Sequence, residues 1–135
     1  MATKIFVNLP VKDLTKSMKF FAALGYKHNP QFTDDTAACI VISEDIYTML
    51  LTHPKFKEFT PKEIADAKTT TEVLTCLSCD SRQQVDDLVR KAVAAGGSTY
   101  AANKDYGFMY QHGFQDPDGH IWEVLWMDPK AVQRG

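Results

Sequence analysis

Phe114-Gln115-Asp116-Pro117-Asp118-Gly119-His120-Ile121-Trp122-Glu123-Val124 is the most informative segment of this 135-residue chain for predicting its fold. Its centre is a turn sequence, because Pro117 sets φ near about −65° and Gly119 tolerates a positive φ. Apolar, strand-like runs flank the turn on both sides, so the stretch predicts a β-hairpin. The carboxyl group of Glu123 lies among apolar neighbours just past the turn. Because a glutamate is rarely buried without a partner, Glu123 is a candidate site residue.

Length and composition are those of one globular domain, with 44% hydrophobic and 24% charged residues. A net charge of −2, with Lys and Arg dispersed, predicts neither nucleic acid nor a membrane surface as a partner. No apolar run approaches the roughly 18 residues of a membrane span, and the first residues lack the apolar stretch of a signal peptide. The three cysteines are an odd number in a chain of this size, which favours reduced thiols. We therefore expect a cytoplasmic protein.

The two halves of the chain carry the same order of predicted elements. In the first half, Asp13 and Gly25 are suited to begin and end a helix. In the second half, Ser81 with Gln84 forms a capping box and a pair of glycines ends the helix. The predicted elements are a strand at 5–11, a helix at 14–24 and strands at 26–32, 37–43 and 46–52, followed by a strand at 73–79, a helix at 82–95 and strands at 98–101, 108–115 and 121–127. This order predicts an α+β fold built from two βαβββ modules.

The segment between the modules is too short to be a domain of its own. Thr60 is suited to cap a helix whose first position is Pro61 and whose third is Glu63, so we expect a short helix from 61 to about 67. We accordingly expect a single domain over residues 1–135. Its parts are module one at about 3–53, a linker with a short helix at 54–71, and module two at about 72–128.

Two segments, together with the repeated βαβββ order, resemble the vicinal oxygen chelate superfamily. They are Val-Lys-Asp-Leu-Thr-Lys-Ser-Met-Lys-Phe-Phe-Ala-Ala-Leu-Gly-Tyr at 11–26 and the hairpin at 114–124. This group includes glyoxalase I, extradiol dioxygenases, fosfomycin-resistance proteins and bleomycin-binding proteins. The resemblance implies that the two modules form a curved, cup-shaped mixed sheet with helices packed outside, and that a short chain forms a homodimer. It is specific for the fold but not for the reaction, because the fold hosts isomerases, dioxygenases, thiol transferases and binding proteins.

Catalytic members of the superfamily hold a divalent metal through His, Gln or Glu on the first and last strand of each module. By resemblance, one ligand position falls on Glu123, whereas the other three fall on Phe6, Leu74 and Met49. Phe and Leu cannot ligate a divalent ion, and the Met thioether suits Cu(I). Because a catalytic metal needs about three protein ligands, we expect no cofactor. A divalent metal held in a non-standard way is the alternative, with Glu123 as a ligand only in that case.

Strand alternation predicts which side chains line the cup. If Glu123 faces inward, pairing across the turn places His112 opposite it on the same face. Such a carboxylate–imidazole pair is suited to acid–base catalysis, although the two groups could also simply satisfy each other's polarity. The expected ligand-binding residues of this mostly apolar lining are Phe6, Asn8, Tyr47, Met49, Leu74, Cys76, Tyr110 and Phe114.

An apolar lining with few polar groups is typical of a small-molecule site. We therefore expect the chain to bind a small hydrophobic or aromatic molecule without the usual metal. The alternative is a lyase- or dioxygenase-type enzyme that uses Glu123 and His112 with a non-standard metal or none. A third hypothesis is a dimer whose cup is filled by its own side chains.

Overall fold

The computed structural model describes residues 3–131. They fall into two compact units, the first ending at Asp66 and the second beginning at Ala67. Within the described part of the chain, no helix is long and apolar enough to cross a membrane.

The first unit is a four-stranded mixed sheet with two helices. Its strands lie in the order β1-β4-β3-β2, with β1 and β4 parallel and the other pairs antiparallel. The elements are β1 (Ile5–Val11), α1 (Leu14–Ala23), β2 (Lys27–His28), β3 (Ala37–Val41), β4 (Ile46–Thr52) and α2 (His53–Lys57).

Helix α1 begins and ends where the sequence predicts. The Asp13 carboxylate accepts a hydrogen bond of 3.0 Å from the Lys16 amide, and Gly25 follows the helix with a φ of 103°. The buried residues of α1 include Phe20 and Phe21, and the helix packs against β3 and β4. One face of the sheet is thereby covered, whereas on the opposite face Phe6 is exposed and Tyr47 and Met49 are partly exposed.

The second unit repeats this plan with β5 (Thr75–Ser78), α3 (Arg82–Ala94), β6 (Lys104–Asp105), β7 (Met109–Gln115) and β8 (Ile121–Met127). The strand order is β5-β8-β7-β6, and β5 runs parallel to β8. The Ser81 hydroxyl accepts from the Gln84 amide over 3.1 Å, and the Gln84 side chain accepts from the Asp80 amide over 2.6 Å. The α+β class and the two βαβββ modules are confirmed.

Some strands differ in length or position from the prediction. The strand expected at 26–32 shrinks to β2, because Pro30 has no amide hydrogen to donate and instead begins a 3-10 turn. The strand expected at 98–101 is reduced to a single bridge between Ser98 and Gln115. The edge strand of the second sheet is β6, which the sequence analysis did not predict.

The short helix of the linker was predicted at the wrong place. It is α2, which begins directly after β4 with Pro54 in its first turn. The Thr60 hydroxyl does accept a hydrogen bond of 3.1 Å from the Lys62 amide, but no helix follows. A single turn gains too few hydrogen bonds to offset the cost of ordering it, so a local start signal does not suffice here.

The hairpin turn is held by a buried carboxylate. Asp116 Oδ1 accepts from the amides of Asp118 and His120, both at 3.0 Å. Asp116 Oδ2 accepts from Trp122 Nε1 over 3.1 Å. Burial raises the pKa of the Asp116 carboxyl above its ordinary range. The predicted hairpin is thus confirmed, and its first Asp fixes both the turn and the tryptophan that follows.

Candidate functional site

The register between β7 and β8 determines what surrounds Glu123. The residue opposite Glu123 is Gly113, and His112 lies opposite Val124. The predicted pairing of His112 with Glu123 is therefore wrong. Gln115 pairs with Ile121, whereas a pairing of His112 with Glu123 would place Gln115 opposite His120, so the observed register differs from the predicted one by one residue. A shift of one residue moves every side chain of a strand to the other face of the sheet.

His112, Tyr110 and Phe114 accordingly lie on the face that α3 covers. The Tyr110 hydroxyl donates to Asp86 Oδ1 on α3 over 2.6 Å and accepts from Asn103 Nδ2 over 2.8 Å. Phe114 is buried and lies opposite Trp122. The expectation that these three side chains share a face with Glu123 is wrong for the same reason.

Side chains from β7, β5 and the loop after α3 surround Glu123 on its face of the sheet. Gln111 Nε2 donates a hydrogen bond of 2.9 Å to Glu123 Oε2. Cys76 is the neighbour of Glu123 on β5 and therefore shares its face. Burial, and then the negative charge of Glu123, raise the pKa of the Cys76 thiol. The third side chain is that of Tyr100, which comes from the loop after α3 and reaches Gly113.

This open face of the second sheet, defined by Gln111, Gly113, Glu123 and Cys76, combines one carboxylate with apolar surroundings. Glu123 is half-buried, and the neighbours on its own strand and face are Ile121 and Leu125. A carboxylate in such surroundings can accept a hydrogen bond from a ligand while the aliphatic side chains contact its apolar part.

The open face of the first sheet is aromatic. Phe6 lies opposite Tyr47, and Asn8 lies opposite Met49, so these four predicted lining residues share one face. The rings of Phe6 and Tyr47 are stacked, with centroids 4.7 Å apart and planes at 11°. Lys4 Nζ lies 5.6 Å from the centroid of the Tyr47 ring. At this distance the negative face of the ring attracts the ammonium cation.

Leu74 is the remaining predicted lining residue. It precedes β5, which begins at Thr75, and it is exposed. The strand expected at 73–79 is therefore shorter at both ends. Whether Leu74, Cys76 and the four residues of the first sheet contact a ligand stays a prediction.

The side chains at the family's ligand positions do not fit a divalent metal. Glu123 receives an amide hydrogen bond from Gln111, while Phe6 and Met49 present a ring and a thioether. Among residues 3–131, no three His, Cys, Asp or Glu side chains come together in a way that could hold a metal ion. Divalent metals in catalytic sites need about three N, O or S ligands from the protein.

Comparisons with known proteins agree with the fold. Residues 3–43 match the family model described as bleomycin resistance protein-like N-terminal. A hypothetical protein from S. aureus is 30% identical and similar in structure, with a TM-score of 0.78 over 93% of this chain and 95% of that one. A search of curated proteins gave no significant match.

Two further solved structures share the fold. A glyoxalase/bleomycin resistance protein/dioxygenase family enzyme from Burkholderia phytofirmans is 18% identical, with a TM-score of 0.79 over 93% of this chain and 99% of that one. A bleomycin resistance determinant encoded on transposon Tn5 is 18% identical, with a TM-score of 0.65 over 94% and 99%. The chain thus has the fold of these glyoxalase/bleomycin resistance proteins, and its residues 3–43 are similar to the bleomycin resistance protein-like N-terminal family.

Two residues of the open face were missed by the sequence analysis. Gln111 shares a face with Glu123 only in the observed register, in which Gln115 pairs with Ile121, so a correct register would have found it. Tyr100 lies in an irregular segment where no periodicity predicts the direction of a side chain. Its signal was indirect, namely a glycine inside strand β7, because a glycine within a strand often marks the close approach of another group.

Proposed function

We propose that the chain binds small, planar, apolar molecules on the open face of a sheet, where Phe6 and Tyr47 offer a ring surface on the first sheet and Glu123 is a polar anchor on the second. The observation that carries this proposal is the stacked pair of Phe6 and Tyr47. Phe6 is 49% exposed although it lies on a sheet face, and an exposed stacked ring is a surface on which another aromatic ring packs well.

The chemistry of the second sheet supports the same proposal. Glu123 has a neutral amide as its hydrogen-bonding neighbour and aliphatic residues on either side along β8. Such a face gives a ligand apolar contact and one hydrogen-bond acceptor. Acid–base catalysis by Glu123 with His112 has no geometric support, because the two side chains lie on opposite faces.

The proposal includes a metal-free site, a homodimer and a cytoplasmic location. The metal-free site is supported by the ring and the thioether of Phe6 and Met49. The homodimer follows from the family resemblance, and the location is supported by three free cysteines. Light scattering on a sizing column would test the dimer, and a monomeric mass would contradict it.

A thermal-shift screen of planar aromatic compounds tests ligand binding. A compound that binds the native state stabilises it by about 2.7 kcal/mol at a hundredfold excess over its Kd. We expect Phe6→Ala to reduce the shift, whereas Phe32→Ala, which removes another exposed ring, should not. Glu123→Gln should reduce the shift for compounds with a hydrogen-bond donor, with Glu63→Gln as the control. A panel that produces no shift at all would contradict the proposal.

A further inference from the structure

The position directly opposite Glu123 carries no side chain. Its cross-strand partner is Gly113, and in an antiparallel pair the Cβ atoms of opposed residues lie roughly 4.5–5.5 Å apart. Any other amino acid at 113 would therefore place its side chain beside the carboxylate. A glycine in the middle of a strand weakens the strand, so the space it leaves needs an explanation.

Tyr100 fills this space. A Cβ atom on Gly113 would clash with the Tyr100 hydroxyl oxygen and would lie 2.9 Å from Tyr100 Cζ. Tyr100 comes from the irregular segment between α3 and β6, and its side chain is 42% exposed. A phenol from a distant loop thus takes the place of the missing side chain, beside Glu123 and still accessible to solvent.

The surroundings of the Tyr100 hydroxyl favour its protonated form. Burial, then the negative charge of Glu123 and the Cys76 thiol, raise the pKa of Tyr100 above its ordinary value. At neutral pH the phenol therefore keeps its proton and is a hydrogen-bond donor, whereas the neighbouring carboxylate is an acceptor. The two groups form a donor and an acceptor on one apolar face.

We propose that Tyr100 is a ligand-binding residue that, with Glu123, selects planar aromatic alcohols. A single phenolic hydroxyl on the ligand can donate its proton to Glu123 and accept the proton of Tyr100. The ring of such a ligand would contact the half-buried side chains of Ile121 and Leu125. This inference rests on the proposed function and adds to it the chemical class of the ligand and the residue that recognises it.

Titration of the Tyr100 phenol tests its placement without any ligand. The ultraviolet difference between the wild type and Tyr100→Phe follows this one phenol. We expect it to titrate above its ordinary range and to move downward in Glu123→Gln, because that variant removes a neighbouring negative charge. Tyr106→Phe is the control for the difference spectrum, since Tyr106 is an exposed tyrosine of the same unit. A Tyr100 phenol that titrates in its ordinary range, with the same pKa in the wild type and in Glu123→Gln, would overturn the proposal.

Fluorescence titration with β-naphthol and naphthalene tests recognition. Tyr100→Phe keeps the ring and removes only the hydroxyl, so we expect it to weaken β-naphthol binding by about fivefold, the effect of one net hydrogen bond. Naphthalene, which has no hydroxyl, should bind both proteins equally. Gly113→Ala should have the same selective effect, because its methyl group displaces the Tyr100 hydroxyl.

The outcomes separate this inference from the proposed function. If β-naphthol and naphthalene bind and Tyr100→Phe weakens neither or both equally, Tyr100 is not a recognition residue and the proposed function stands. If neither compound binds the wild type, both proposals fail for planar aromatic ligands. Circular dichroism of each variant confirms that a loss of binding is not a loss of fold.

Discussion

Gln111 and Glu123 are joined across β7 and β8 by a hydrogen bond of 2.9 Å, in which the Gln111 amide donates to Glu123 Oε2. They are diagonal neighbours, since Gln111 lies opposite Leu125 and Glu123 lies opposite Gly113. The carboxylate is thus oriented by a neutral amide from the next strand. This relationship makes Gln111 a positioning residue for any ligand that Glu123 binds.

Replacement of this amide should therefore weaken ligand binding without unfolding the protein. We expect Gln111→Met to reduce the affinity for β-naphthol by a few fold, because the carboxylate loses the bond that orients it. Gln115→Met is the matched control, since Gln115 lies on the same strand and face but opposite Ile121. Equal losses of affinity in both variants would show that the substitutions act through the sheet as a whole and not through the orientation of Glu123.

The buried carboxylate of the hairpin should be the most sensitive polar group for stability. Asp116→Ala removes the acceptor of three hydrogen bonds, from two amides and from Trp122. Since a buried donor left without a partner costs about 1–3 kcal/mol, we expect a loss of about 3 kcal/mol in the free energy of unfolding. Urea denaturation measures it, with the exposed Asp35→Ala as the control. A loss no greater than that of the control would mean that water replaces the carboxylate.

Cys79 should react slowly with alkylating agents at neutral pH and faster as the pH rises. Burial, and then the neighbouring Asp80 and Cys76, raise the pKa of Cys79 to about 11. Because the thiolate is the reactive form, only about one Cys79 in a thousand is reactive at about pH 8. We expect its alkylation rate in a Cys76→Ser variant to rise about tenfold per pH unit up to about pH 10. Peptide mass spectrometry with iodoacetamide measures this, and a rate that is already constant at neutral pH would contradict it.

Metal analysis should find no resident divalent ion. Phe6 and Met49 supply no ligand for one, and the Glu123 carboxylate alone falls short of the usual three. We expect protein purified without chelator to contain far less than one equivalent of metal. A stoichiometric metal that is lost in Glu123→Gln would overturn the metal-free site.

The elements that local chemistry specifies were predictable from the sequence. Asp13 and Ser81 begin their helices as expected, because a cap needs only residues three or four positions away. The Asp116–Gly119 turn, and the elements whose order is repeated in the two modules, are likewise specified by residues a few positions apart in the sequence. Where the signal was weak, as at Thr60, the prediction failed, because a single helical turn has little stability of its own.

The surroundings of Glu123 depended on tertiary structure. The sequence placed a carboxylate on a strand after a turn, but the strand register decided which face of β7 meets it. A register that differs by one residue makes Gly113, and not His112, the partner of Glu123. The arrival of Tyr100 is set by the path of an irregular loop, for which no periodicity exists. Local sequence patterns therefore specify the two modules and the position of the carboxylate. That a tyrosine and a glutamine, and not a histidine, lie beside it follows from the folded structure alone, because strand register and loop path depend on contacts between distant residues.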